Sequence, residues 1–131
     1  IGGFGMIEAT DSNNNKTVMK LNHLNLTVTN PLETQEFLAT YFGLKPMGKG
    51  TAKMAFLSDD NGMVLSMFKG ADVNYPDTFH IGFIQETEEC VNRINGRLKA
   101  DGFDVPPPSK QHGAWTFYFL APGGFTIEVL H

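Results

Sequence analysis

Leu21-Asn22-His23-Leu24-Asn25-Leu26-Thr27-Val28 and, further along, Thr78-Phe79-His80-Ile81-Gly82-Phe83-Ile84 are the stretches that decide the fold. In both, apolar residues alternate with polar or small ones, the period-two pattern of a strand with one buried face. The segments C-terminal to the two stretches are also alike. Asn30-Pro31 breaks the first strand, and Pro31 suits the first turn of a helix. Phe37, Leu38, Tyr41 and Phe42 then fall at helical spacing, and Gly43 closes the helix. After the second strand a helix is expected over about 86–100, with Val91, Ile94 and Leu98 on one stripe and Asp101-Gly102 ending it.

Three short strands are expected behind each helix. In the first half they are 44–46, 53–58 and 63–68, the last two joined by the turn Asp59-Asp60-Asn61-Gly62. In the second they are 103–105, 114–120 and 125–130, the last two joined across Pro122-Gly123-Gly124. The chain is thus an internal repeat of β-α-β-β-β units. Gly43-Leu44 corresponds to Gly102-Phe103, Phe56-Leu57 to Phe119-Leu120, and Gly62-Met63-Val64-Leu65-Ser66 to Gly124-Phe125-Thr126-Ile127-Glu128. His23 corresponds to His80. Each unit is too small to bury its sheet alone, so the expected α+β fold packs modules 20–70 and 78–131 as one domain over 20–131.

Composition narrows the function. The 131 residues are 41% hydrophobic and 18% charged, enough apolar material for a core. Ten Lys and Arg against fourteen Asp and Glu give a charge of −4 with no basic stripe, so no nucleic-acid partner is expected. No apolar run reaches the roughly 18–20 residues of a membrane helix. A single cysteine, Cys90, excludes an intrachain disulfide and a thiolate zinc cage, and a cytoplasmic setting is expected. Residues 1–19 read as a flexible N-terminal extension: Met19 is a candidate native start behind an upstream extension, or the stretch is a native arm.

Alternation assigns the faces. Leu24, Leu26 and Val28 should meet the helix, which turns His23, Asn25 and Thr27 the other way. By the same logic His80, Thr116, Tyr118, Thr126, Glu128, Leu130, Val64, Ser66 and Phe68 lie on the side away from the helices. A curved sheet would make that side concave and bring His23, His80 and Glu128 to one point. Two imidazoles and a carboxylate suit a divalent ion with open coordination positions, able to polarise a substrate oxygen.

These stretches, with the closing Phe117-Tyr118-Phe119-Leu120-Ala121-Pro122-Gly123-Gly124-Phe125-Thr126-Ile127-Glu128, resemble the vicinal oxygen chelate superfamily of glyoxalases, bleomycin-resistance proteins, fosfomycin-resistance enzymes and extradiol dioxygenases. The resemblance implies paired βαβββ modules in a U-shaped mixed sheet around a metal, and a homodimer, sometimes with a site shared between chains. It assigns His23, His80 and Glu128 as ligands of Mn, Fe, Zn or Ni. It puts Ser66 where glyoxalase I has a glutamate, which speaks for the three-ligand members and against standard glyoxalase chemistry. Asn25, Ser66, Phe68, Thr116, Tyr118 and Leu130 would line the pocket of a small-molecule ligand, with Tyr118 and the loop residue His112 as candidate acid–base groups.

Two functions are then expected to compete. One is a metal-dependent lyase, isomerase, transferase or dioxygenase that chelates a small oxygen-bearing substrate and stabilises an anionic intermediate. The other is a metal-free protein of the bleomycin-resistance type that sequesters a drug or metabolite. The presence of all three ligand types favours the enzyme.

Overall fold

A computed structural model describes residues 17–131, so nearly all of the expected N-terminal extension lies outside the described residues. The first module is β1 (His23–Val28), α1 (Pro31–Phe42), β2 (Lys45–Pro46), β3 (Met54–Ser58) and β4 (Val64–Lys69). The second is β5 (His80–Ile84), α2 (Glu88–Ala100), β6 (Ser109–Gln111), β7 (Ala114–Leu120) and β8 (Thr126–Leu130). Each module forms a four-stranded mixed sheet, in the orders β1-β4-β3-β2 and β5-β8-β7-β6. β1 runs parallel to β4 and β5 to β8, while the remaining pairs are antiparallel. The expected α+β fold of two βαβββ modules is therefore present, and its eight strands divide into two sheets.

The helices start and stop on local chemistry. Asn30 caps α1 by accepting from Glu33 N, Pro31 occupies the first turn, and Gly43 ends the helix at φ 68, a conformation that favours glycine. Thr87 caps α2 by accepting from Cys90 N. Glu88 and Glu89 in its first turn face the positive end of the helix dipole. Leu26, Val28, Phe37, Leu38, Leu57, Met67, Val91, Leu98, Phe117, Phe125, Ile127 and Val129 form one continuous core drawn from both modules. Phe37 of α1 sits 5.3 Å from Phe103 and 6.1 Å from Phe119 by ring centroids, so an aromatic of the first module is seated in the second.

Two expectations need correction. Residues 103–105 are not a strand: Phe103 and Val105 pack against the core, and the edge of β7 is taken instead by Ser109–Gln111. That pairing is closed by a two-residue turn at His112 (φ 50) and Gly113 (φ 78), the paired positive angles that suit a tight hairpin. Three consecutive prolines, Pro106-Pro107-Pro108, delay the strand until they have passed. The repeat also slips by one residue in its middle. Phe56 pairs with Ser66 as Tyr118 pairs with Glu128, so Phe56 corresponds to Tyr118 rather than to Phe119.

The segment between the modules is strapped to β1. The Tyr75 hydroxyl accepts from Thr27 N and donates to Thr27 O, both at 2.8 Å, and its ring stacks on Phe79 at 4.5 Å. This satisfies two backbone groups on an edge strand that would otherwise be open to pairing. Tyr75→Phe keeps the stack and loses both bonds. The expected result is a loss of about 1 kcal/mol in urea unfolding with an unchanged denaturant slope. A loss too small to measure would mean that water replaces the hydroxyl without cost.

Candidate metal site

His80 opens β5 and Glu128 lies in β8, and the strand pairing fixes their relation. His80 is opposite Thr126, and Gly82 is opposite Glu128. Ile127 and Val129 are buried in the core, with Ile81 and Phe83 packed against it, so His80, Gly82 and Glu128 share the open face. Gly82 brings no side chain to the place beside Glu128. The diagonal pair closes to 3.4 Å between His80 Nε2 and Glu128 Oε1.

Hydrogen bonds orient both groups. His80 Nδ1 lies 3.0 Å from Thr78 O. A carbonyl only accepts, so Nδ1 carries a proton and Nε2 is the ring nitrogen that faces Glu128. Thr116, fully buried, donates from Oγ1 to Glu128 Oε2 at 2.7 Å, which turns Oε1 toward His80. An imidazole lone pair and a carboxylate oxygen facing each other call for a cation, either a proton on Nε2 or a metal ion. Two ligands each about 2.1 Å from one ion lie roughly 3.0–3.4 Å apart, so the pair fits a divalent metal without movement. A backbone carbonyl that fixes the free ring nitrogen is the usual support of a metal-binding histidine.

Tyr118 completes this half. Its ring meets His80 edge-on at 5.3 Å. Burial, then a hydrogen bond to Glu128 and the charge of that carboxylate, push the phenol above its ordinary value of 10.0, so it stays protonated through neutral pH. Leu130 lies half-buried on the same face.

The open face of the first sheet repeats this register with different chemistry. His23 is opposite Val64 and Asn25 is opposite Ser66. Ser66 therefore stands in β4 where Glu128 stands in β8, as the sequence repeat implies. Ser66, 7% exposed, donates to Asn25 Oδ1 at 2.8 Å, a neutral pair in place of the histidine–glutamate one. Phe68 is 46% exposed and meets Phe56 edge-on. His23 is exposed, with Nδ1 3.1 Å from Asn22 Oδ1.

The expected convergence of three ligands is not found within this chain. Among the described residues no three His, Cys, Asp or Glu side chains come together around one point. The reason lies in how the modules dock. Thr29 N donates to Gly123 O at 3.2 Å, which sets the far end of β1 beside the turn that leads into Thr126, the register partner of His80. His23 is at the opposite end of β1, about 17 Å away along the strand. His112 is also not brought to the pair. It occupies the β6–β7 turn with positive φ, and Ala114, where β7 begins, lies about 13 Å along the strand from Tyr118. Its position has a conformational explanation, since histidine is among the residues that tolerate that angle. Thr78, whose carbonyl sets the His80 tautomer, was not foreseen because a backbone acceptor leaves no mark in a sequence.

Paired βαβββ modules bearing a histidine and a carboxylate on one open sheet face define a glyoxalase-type fold with a candidate metal site. The chain belongs to the Glyoxalase/Bleomycin resistance protein/Dioxygenase superfamily, whose family model matches residues 20–129. It is 52% identical to a possible glyoxalase from Bacillus cereus, over 87% of this chain and 100% of that one, with a TM-score of 0.81. A lactoylglutathione lyase from Agrobacterium tumefaciens shares the fold at 21% identity and TM-score 0.67, covering 88% of this chain and 95% of that one. The fosfomycin resistance protein FosX from Listeria monocytogenes, as a mutant complexed with Mn(II) and dihydroxypropylphosphonic acid, does so at 23% identity and TM-score 0.71, covering 87% and 93%. No curated protein sequence matches the chain. Among the described residues no helix is long and apolar enough to cross a membrane.

Proposed function

We propose that the protein is a divalent-metal enzyme acting on a small oxygen-bearing substrate, with a site built from His80 and Glu128 of one copy and His23 of a second. The observation that carries this reading is the His80–Glu128 pair, held at ligand spacing with its tautomer fixed by Thr78 O. Mn, Fe, Zn and Ni all suit the donor set. Such an ion supplies Lewis acidity, which favours the anionic form of a bound oxygen. The chain supplies the rest. Thr116 keeps the Glu128 carboxylate aimed. Tyr118, held protonated, donates a hydrogen bond or a proton to a substrate oxygen at the His80–Glu128 edge. Asn25, Ser66, Phe68 and Leu130 form the walls.

The position of His23 supports a homodimer. It is exposed, and among the described residues no third ligand joins the His80–Glu128 pair of its own chain. Exposed apolar side chains on both open faces, Phe68 and Leu120 among them, favour coverage by a second copy.

Subunit mixing tests the arrangement. His23→Ala and Glu128→Gln proteins should each bind Mn(II) poorly. After the two are unfolded together and refolded, each mixed dimer has one intact site, and about half of the dimers are mixed. The recovered stoichiometry should therefore approach a quarter of wild type. Recovery to that level is the expected result, and no recovery would defeat the shared site. Wild-type protein that binds an organic ligand but no divalent metal would instead favour a metal-free sequestering protein of the bleomycin-resistance type.

A further inference from the structure

The junction of the two modules holds a cleft that the metal reading does not use. Its inner part is a cavity of about 170 Å³, walled by Leu24, Leu57 and Leu65 of the first module and by Ile81 and Phe83 of the second. Leu24 alternates with His23 and Asn25 along β1, and Ile81 alternates with His80 and Gly82 along β5. The cavity therefore lies behind the strands that carry the two histidines, on the side turned to the core. The outer part, about 570 Å³, is continuous with it at Leu44, Asp59 and Phe83. Asp60, Asn61 and Gln85 make this outer part polar.

One charged group stands where the two parts join. Asp59 Oδ1 accepts from Asn61 N at 2.9 Å and from Met63 N at 2.8 Å, which fixes the carboxylate to the β3–β4 turn. Among the described residues Asp59 has no other partner. Three cations stand near the cleft without lining it. Lys45 is paired with Asp60 at 3.7 Å. Lys20 Nζ lies 3.7 Å from the point that a side-chain carbon on Gly62 would occupy. Arg97 lies over the Tyr41 ring at 5.2 Å. None of them forms an ion pair with Asp59. The wall beside the carboxylate is aromatic, with Phe42 and Phe83 stacked at 4.6 Å.

We propose that this cleft binds a small organic amine with a compact apolar body, its ammonium at Asp59 and its apolar part in the inner cavity. An apolar cavity of about 150 Å³ takes up a benzene ring, so the inner part has room for one ring or a branched chain of similar size. The apolar body gains by leaving water. The ammonium stays at a half-exposed rim, where it meets a fixed carboxylate and aromatic rings without being buried unpaired. A carboxylate on a ligand of the same shape would meet Asp59 as a like charge. The site is independent of any metal, since its walls include neither His80 nor Glu128.

The test is a ligand-observed NMR titration of the full chain with 2-phenylethylamine, in EDTA so that no divalent ion takes part, beside 3-phenylpropionate as the anion of similar shape. The amine is expected to bind, and the anion to bind about tenfold or more less tightly. Asp59→Asn keeps an oxygen for both backbone donors and loses the charge; it should weaken the amine about three- to tenfold. Leu24→Trp, which fills the inner cavity from its rim, should abolish binding, and a thermal melt shows whether each variant is folded. Absence of amine binding to the unaltered protein would overturn the proposal, as would an anion that binds equally well. A change of less than about twofold in Asp59→Asn would also overturn it. Binding that survives in folded Leu24→Trp would place the amine elsewhere and overturn it too. None of these outcomes bears on Mn(II) binding at His80 and Glu128, so the metal reading stands or falls separately.

Discussion

Glu128→Gln is expected to lower the affinity for Mn(II) roughly 100-fold or more, since changes one shell farther from a metal already cost about 10–100-fold. The amide keeps the shape of the carboxylate and can still accept from Thr116, which holds Oε2 at 2.7 Å. What it loses is the charge and the anionic oxygen facing His80 Nε2 at 3.4 Å. Stability should change by less than about 1 kcal/mol, because the amide has the shape of the carboxylate and keeps the bond from Thr116. Calorimetric titration with Mn(II) beside a thermal melt separates the two effects. An unchanged dissociation constant would remove Glu128 from the site, and with it the candidate metal centre.

The second large effect is in the core. Phe37→Ala should cost about 3–5 kcal/mol, the usual range for deleting a buried phenylalanine. Phe37 is 6% exposed and lies within 5.0–6.2 Å of the rings of Tyr41, Phe42, Phe103 and Phe119. Two of those rings belong to the other module, so the cavity would open at the junction. Set against a typical total of about 5–15 kcal/mol, the loss is a large share. Phe37→Leu keeps more of the volume and should cost less. Urea unfolding of both variants tests this, and a loss below about 1 kcal/mol in Phe37→Ala would show that the modules do not depend on a common core.

The parts of the molecule legible in the sequence were those that obey local periodicity. Strand alternation placed His80, Tyr118 and Glu128 on one face and Phe117, Ile127 and Val129 on the other, because a strand has only two sides. The pairing of Ser66 with Glu128 as repeat equivalents also followed from counting along each strand. The position of His23 relative to His80 did not, because it depends on how the two sheets dock, through contacts such as Thr29 with Gly123 that are distant in sequence. Residues 103–105 misled for a related reason. Phe103 and Val105 are apolar for the sake of the core, and a strand also needs a free edge to pair with. The turn at His112 and Gly113 was the available signal for β6, and its histidine was read as chemistry rather than as backbone geometry.

The core of both modules lies behind the sheets, so under the proposed shared site a single chain would be complete as a folded object while its site was only half built. Folding and catalytic competence would then obey different laws. The first is unimolecular and indifferent to concentration; the second depends on the encounter of two chains. Diluting the protein below the dissociation constant of the pair would extinguish turnover while circular dichroism stays unchanged. Specific activity would rise with enzyme concentration before levelling off. A divalent metal that bridged ligands of both copies would act as a glue between them, so a chelator would separate subunits that it does not unfold.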